Sequence, residues 1–169
     1  MSPVSTTYAE LHCHSNYSFK EGASSIDELL AQAKRLGYRA LALTDHDNLC
    51  GAMQFAQVAR SLGIQHIAGA EITLVGGSHL TLLAETRKGY SNLCNLITFS
   101  RVKGDRLNPG LDPRFLEDYS RGLILLTGCP SGGVPASAAA GRADEAEAEL
   151  RSYLELFGTE NVFVELQQN

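Results

Sequence analysis

The chain has 169 residues, of which 44% are hydrophobic and 20% charged, enough for one domain with a core of its own. Its 19 acidic against 14 basic side chains give a net charge of −5, which excludes a strong nucleic-acid clamp built on clustered lysine and arginine. No apolar run approaches the roughly 18 residues of a membrane span. The start, MSPVSTTYAE, has no basic or apolar leader pattern, so neither a membrane protein nor a secreted one is expected.

In chain order, Tyr8–His12 is the first predicted strand. Ser25–Gly37 follows as a helix: Ser25 and Glu28 make a capping box, Ile26, Leu29, Leu30 and Ala33 form one face, and Gly37 suits the stop. Ala40–Thr44 is a buried-type strand, followed by a helix to about Gly63. His66–Ala70 and Leu80–Ala84 are the third and fourth strands, and Ser91–Arg101 is helical. Asp112-Pro113 predicts the N-cap and first position of a short helix ending near Tyr119. Leu123–Thr127 is a fifth strand, Arg142–Phe157 the longest helix and Asn161–Leu166 a sixth strand. The loosest stretches are Arg101–Leu111 and Gly128–Gly141. Alternation of strands and helices implies parallel strands covered by helices, as an open sheet or a barrel.

The chemistry-bearing residues gather at strand ends. His12-x-His14 closes the first strand, and a two-residue spacing puts both imidazoles on one face while Cys13 points away. The second strand ends in Thr44-Asp45-His46-Asp47 and the third in Gly69-Ala70-Glu71. In parallel α/β folds the C-terminal edge is the functional one. Imidazoles with carboxylates suit Zn²⁺, Mn²⁺ or Fe rather than an all-oxygen Ca²⁺ cage, and more than four such groups suggest two or more metals. Such clusters activate water and neutralise phosphoryl charge. His66 and His79 begin strands, which places them at the opposite edge of a parallel arrangement; His79 is weighed as a ligand against a hydrogen-bonded strand-start histidine. Cys13, Cys50, Cys94 and Cys129 include no C-x-x-C pair and fit free thiols in a reducing, cytoplasmic setting. Gly128–Gly133 lacks the Lys-Ser/Thr of a phosphate-binding loop, and the acids of the longest helix fit a solvated face. Arg101, Lys103, Arg106 and Arg114 fit a solvent loop better than a DNA contact.

ELHCHSNYS, LALTDHDNLCG and HIAGAE, in this order, resemble the PHP (polymerase and histidinol phosphatase) domain, and the likeness covers essentially the whole chain. HLTLLAETRKGYSNLCNLI, GLILLTGCPSGGVP and LFGTENVFVELQ resemble its polymerase branch, the N-terminal PHP domain of bacterial DNA polymerase III alpha subunits. ELHCHSNYSF, GYRALALTDH and NLITFSR lean towards the error-prone form. The resemblance implies a distorted seven-stranded β/α barrel with up to three divalent metals, and Mg²⁺ in the parent polymerase. It assigns His12, His14, Glu21, His46, Glu71 and Cys129 as ligands, with His12, His14 and Glu71 catalytic and Asp45 a less certain neighbour. Arg101 aligns where the family has a histidine, and the closing Asp-x-His motif is absent from the sequence. The chain is therefore expected to be about six strands of an incomplete PHP domain, binding metal weakly by itself.

Three functions follow as expectations. In the first, the domain hydrolyses phosphodiesters for proofreading, or braces DNA synthesis, inside a polymerase whose partners are DNA and its other domains or subunits, with no membrane. The second is a free-standing phosphoesterase such as histidinol phosphatase. The third is an inactive interaction platform, favoured by Arg101.

Overall fold

The computed structural model describes residues 8–103 and 110–166. Five strands form one sheet in the order β1 (Ala40–Leu43), β2 (Gln65–Thr73), β3 (His79–Ala84), β4 (Leu123–Leu126) and β5 (Val162–Phe163). Helices α1 (Ile26–Leu36), α2 (Ala52–Leu62), α3 (Arg87–Lys103), α4 (Phe115–Tyr119), α5 (Gly133–Ala139) and α6 (Ala143–Phe157) connect them. The arrangement is the α/β architecture expected, an incomplete barrel, with differences that bear on the site. No helix among the described residues is long and apolar enough to cross a membrane.

Local signals explain the helix ends. The Ser25–Glu28 capping box is reciprocal: Glu28 N donates to Ser25 Oγ at 3.4 Å, and Ser25 N donates to Glu28 Oε2 at 2.8 Å. Gly37 closes α1 at φ 76°. Asp112 caps less directly than predicted. Its carboxylate accepts from Arg114 N at 3.0 Å and from the Arg114 guanidinium, and α4 begins only at Phe115.

Two expectations change. The predicted first strand pairs with β1 through a single bridge, Glu10 to Leu41, because Glu10 turns its own carboxylate onto the Leu11 and His12 amides. The Gly128–Gly141 stretch, expected to be loose, contains α5, whose Val134 and Ser137 are buried. Arg106 and most of the other expected loop lie outside the described residues.

The largest difference is strand direction. β2 and β3 are antiparallel, as are β3 and β4, while the outer pairs are parallel. Only five residues separate β2 from β3. A parallel pair needs a crossover of a dozen or more residues, so this short connection permits a hairpin and nothing else. Reversal carries the start of β3 to the edge where β2 ends, opposite Thr73 in register.

Period-two alternation splits the sheet into two faces. Leu41 and Leu43 pack with Ile26, Leu30, Phe55 and Ala59 under α1 and α2. Ala70, Ile72, Leu80, Leu82 and Leu125 pack with Leu93, Leu96, Tyr153 and Phe157 under α3 and α6. Ala42, Leu83 and Leu126 occupy the opposite, inner face. On that face, Glu71 pairs with Thr81, and Thr81 with Leu126. The histidines and the buried Glu71 gather towards the edge where β2 and β4 end, and the candidate site lies there.

Candidate metal centre

Glu71 is the hub. It is 2% exposed, and its two oxygens face different histidines. Oε2 lies 2.5 Å from His12 Nε2 and 3.4 Å from His14 Nε2. Oε1 lies 2.5 Å from His79 Nδ1 and 3.8 Å from His46 Nδ1. Two ligand groups result, His12–His14–Glu71 and His46–Glu71–His79, each with its donor atoms within 4.8 Å of one another. The shared carboxylate can bridge the two.

The chain path places each imidazole. Thr44 N donates to Cys13 O at 2.9 Å and Glu71 N donates to Thr44 O at 3.2 Å, which stitches the His12–His14 segment, β1 and β2 into one edge. His46 sits beside Glu71 through a parallel bridge. Its ring reaches Thr73 Oγ1 through Nε2 and Glu21 Oε2 through Nδ1, both at 2.6 Å. Glu21 arrives on a tight loop: Glu21 N and Gly22 N both donate to Ser18 O, and Lys20 adopts φ 73°. Gly22 is required here, since a Cβ would sit 1.9 Å from Ser15 O. Cys129 Sγ lies 3.7 Å from His79 Nδ1.

His12, His14, Glu21, Glu71, His79 and Cys129 line one cleft of about 590 Å³. His46 reaches them through its contacts with Glu21 and Glu71. His79, expected at the far edge, joins because β3 is reversed; His66 stays on the exposed far side. A larger hollow of about 1020 Å³ runs down the inner face, lined by Leu83, Ile124 and Leu126. The smaller cleft contains both ligand groups' shared carboxylate, so the chemistry belongs there.

Asp45 points elsewhere. It is 1% exposed, and its carboxylate accepts from Ser15 N at 2.7 Å, Ser15 Oγ at 2.8 Å and Ser18 Oγ at 2.6 Å. It anchors the loop that carries Glu21 instead of facing the cleft. Asp45→Ala leaves the two buried serine hydroxyls and an amide without their acceptor and is expected to cost about 2 kcal/mol or more. A urea midpoint equal to wild type would refute that anchoring role.

Arg101, aligned where a histidine was expected, donates from Nη2 to Asp47 O at 3.1 Å, on the shoulder of His46. Glu165 was not anticipated. It follows β5, and its Oε1 lies 2.8 Å from His12 Nδ1. Alternation could have found it: Phe163 pairs with Leu126, an inner-face residue, so residue 165 faces inward as well.

Electrostatics follow from this packing. Burial lowers the pKa of His12, but hydrogen bonds to Glu165 and Glu71 outweigh it and hold the ring at about 10. Burial raises Glu71, yet the hydrogen bond from His12, the nearby His14 ring and the charges of His12 and His79 hold it well below the usual carboxylate range. Cys13, packed against the core under α1 and α2, is pushed up to about 11 by burial.

The donor set fits divalent metals. His14 Nε2 is buried with no hydrogen-bond partner among the described residues, though it faces Glu71. A buried nitrogen left so is costly, and His14 and Glu71 are residues that would hold a divalent cation, which would satisfy that nitrogen.

The sequence matches the PHP domain family over residues 10–169. An error-prone DNA polymerase of Symbiobacterium thermophilum is 45% identical over 89% of this chain and 15% of its own length. A DNA polymerase III subunit alpha of Treponema pallidum is 38% identical over 96% of this chain and 15% of its own. The chain thus spans about 15% of the length of these curated relatives. A solved two-domain protein of Bacteroides vulgatus, described as containing a predicted PHP-like metal-dependent phosphoesterase, aligns with a TM-score of 0.48 at 16% identity, over 92% of this chain and 49% of that one. With a family match over residues 10–169, nearly its whole length, the chain belongs to the PHP domain family.

Proposed function

We propose that this PHP domain hydrolyses phosphodiesters in DNA as part of a bacterial DNA polymerase III alpha-type protein, error-prone in subtype, working in the cytoplasm beside the other polymerase domains. The observation that carries this reading is Glu71, one buried carboxylate shared by two histidine groups in an open cleft. His12, His14, His46, Glu71 and His79 would hold the metals, zinc or manganese by their donor chemistry, with Glu21 and Cys129 alongside. When bound, such metals polarise a phosphoryl oxygen and lower the pKa of a water molecule. The protein's own part is to hold Glu71 ionised, keep the imidazoles on one wall, and leave the half-exposed Glu21 at the mouth, where it can accept a proton from an incoming water. Template-directed synthesis, with its Mg²⁺, would belong to other parts of such a protein.

A second reading has its own observation. Arg101 puts a cation beside His46 where another ligand was expected, which favours a domain that braces the polymerase without hydrolysis. One experiment separates them: incubation of the full-length gene product with end-labelled single-stranded DNA and Mn²⁺. Nucleotide release that His14→Ala abolishes supports hydrolysis. Metal binding without release supports the brace. Turnover of an aryl phosphate with DNA left intact supports a free-standing phosphoesterase.

A further inference from the structure

His12 is held at both ring nitrogens. Nε2 faces Glu71 in the cleft, and Nδ1 faces Glu165 Oε1 at 2.8 Å, with Thr81 Oγ1 at 3.2 Å from the same nitrogen. The His12 and Glu165 side chains are 7% and 12% exposed, so little water competes for this contact. Three elements converge to make it. Glu165 N donates to Thr127 Oγ1 at 3.0 Å, which ties the chain after β5 to the end of β4. Thr81 is the cross-strand partner of both Glu71 and Leu126 on the inner face. The His12 segment lies across from them, beside β1.

We propose that Glu165 is the positioning residue of the metal centre: it accepts the Nδ1 proton of His12, and so fixes the ring with its Nε2 lone pair aimed at the ion shared with Glu71. A ligating histidine has two ring nitrogens, and whichever is not bound to metal needs an acceptor that fixes tautomer and orientation. Glu71 cannot serve both nitrogens, since its Oε2 is 2.5 Å from Nε2 on the cleft side. Glu165 meets Nδ1 on the other side and lies outside both ligand groups. Its role is second in line to His12, not contact with substrate.

This inference rests on the metal reading above, and the test keeps the two apart. Zinc affinity of the full-length protein is measured by calorimetric competition with a chelator, for wild type, Glu165→Ala and Glu165→Gln. Loss of such a partner typically weakens metal binding about 10–100-fold. Glu165→Ala is expected to lose at least tenfold, and Glu165→Gln, whose amide oxygen can still accept from Nδ1–H, to stay within about threefold of wild type. Nitrogen-15 spectra of the zinc-loaded wild type should show His12 protonated at Nδ1, a signature that a purely structural glutamate would not set and that needs no variant to fold. Wild type binding zinc with Glu165→Ala unchanged, or His12 protonated at Nε2, overturns the proposal alone. Wild type binding no zinc overturns the metal reading and this inference with it.

Discussion

Glu71→Ala is expected to remove tight metal binding from both histidine groups at once, with losses above about 100-fold at each, since even an outer partner of a ligand is worth 10–100-fold. The reason is geometric. Oε2 serves His12 and His14, and Oε1 serves His46 and His79, so no other buried carboxylate among the described residues joins the two groups. Glu21 lies beside His46 and His14, but its side chain is 44% exposed and does not replace the charge buried at Glu71. Metal-free stability should fall as well. A buried carboxylate holding several imidazoles leaves a positive ring poorly compensated when removed, a cost of a few kcal/mol. The two effects separate experimentally: manganese titration followed by electron paramagnetic resonance reads the first, and the urea midpoint without metal reads the second. Glu71→Ala that keeps two manganese sites at wild-type affinity would refute the shared-carboxylate centre. Single loss of one group would show that the carboxylate serves only that side.

Much of this centre was legible in the sequence because its signals are local. The H-x-H spacing fixes two rings on one face, the TDH stretch directly follows β1, and GAE lies within β2 beside it, two residues short of that strand's end. Helix ends were legible for the same reason: the Ser25 box and the glycine stops at residues 37 and 63 need only their neighbours. What escaped depends on pairing between distant segments. His79 reads as a far-edge residue until the β2–β3 hairpin reverses its strand; the predicted strands leave nine residues between them, already short for a parallel crossover, and the observed strands leave five. Asp45 reads as a neighbour of ligands, yet its direction is decided by Ser15 and Ser18, some 30 residues earlier, which offer it three hydrogen bonds. Glu165 reads as one acid in a strand end, and its meaning arises only where β5 lies beside β4 on the inner face opposite His12. α5 was missed because its apolar face is small, with Val134 and Ser137 buried among glycines and alanines that give no strong periodicity.

Manganese should bind more tightly as pH rises, by about tenfold per unit from near pH 6.5 upward and about 100-fold between pH 6.5 and 8.5. His12 sets the slope. In the metal-free protein both its nitrogens face carboxylates, so the doubly protonated ring is the form the pocket satisfies, and its pKa rises from 6.5 to about 10. A raised folded-state value means that protonated His12 stabilises the metal-free fold fully below about pH 6.5, and that this contribution fades as pH climbs towards 10. A metal ion on Nε2 requires that proton to leave, so the ion competes with a form favoured at low pH. Glu71 does not blunt the slope, because its value is depressed and it remains ionised throughout this window. Calorimetry in buffers of different ionisation enthalpy should accordingly register close to one proton released from His12 as metal binds near pH 7. His12→Asn removes the titrating ring and should flatten this part of the profile while weakening binding overall. Affinity that is constant from pH 6.5 to 8.5, with no proton released, would mean that His12 is not displaced by the metal, and the ligand group around Glu71 Oε2 would have to be redrawn without it.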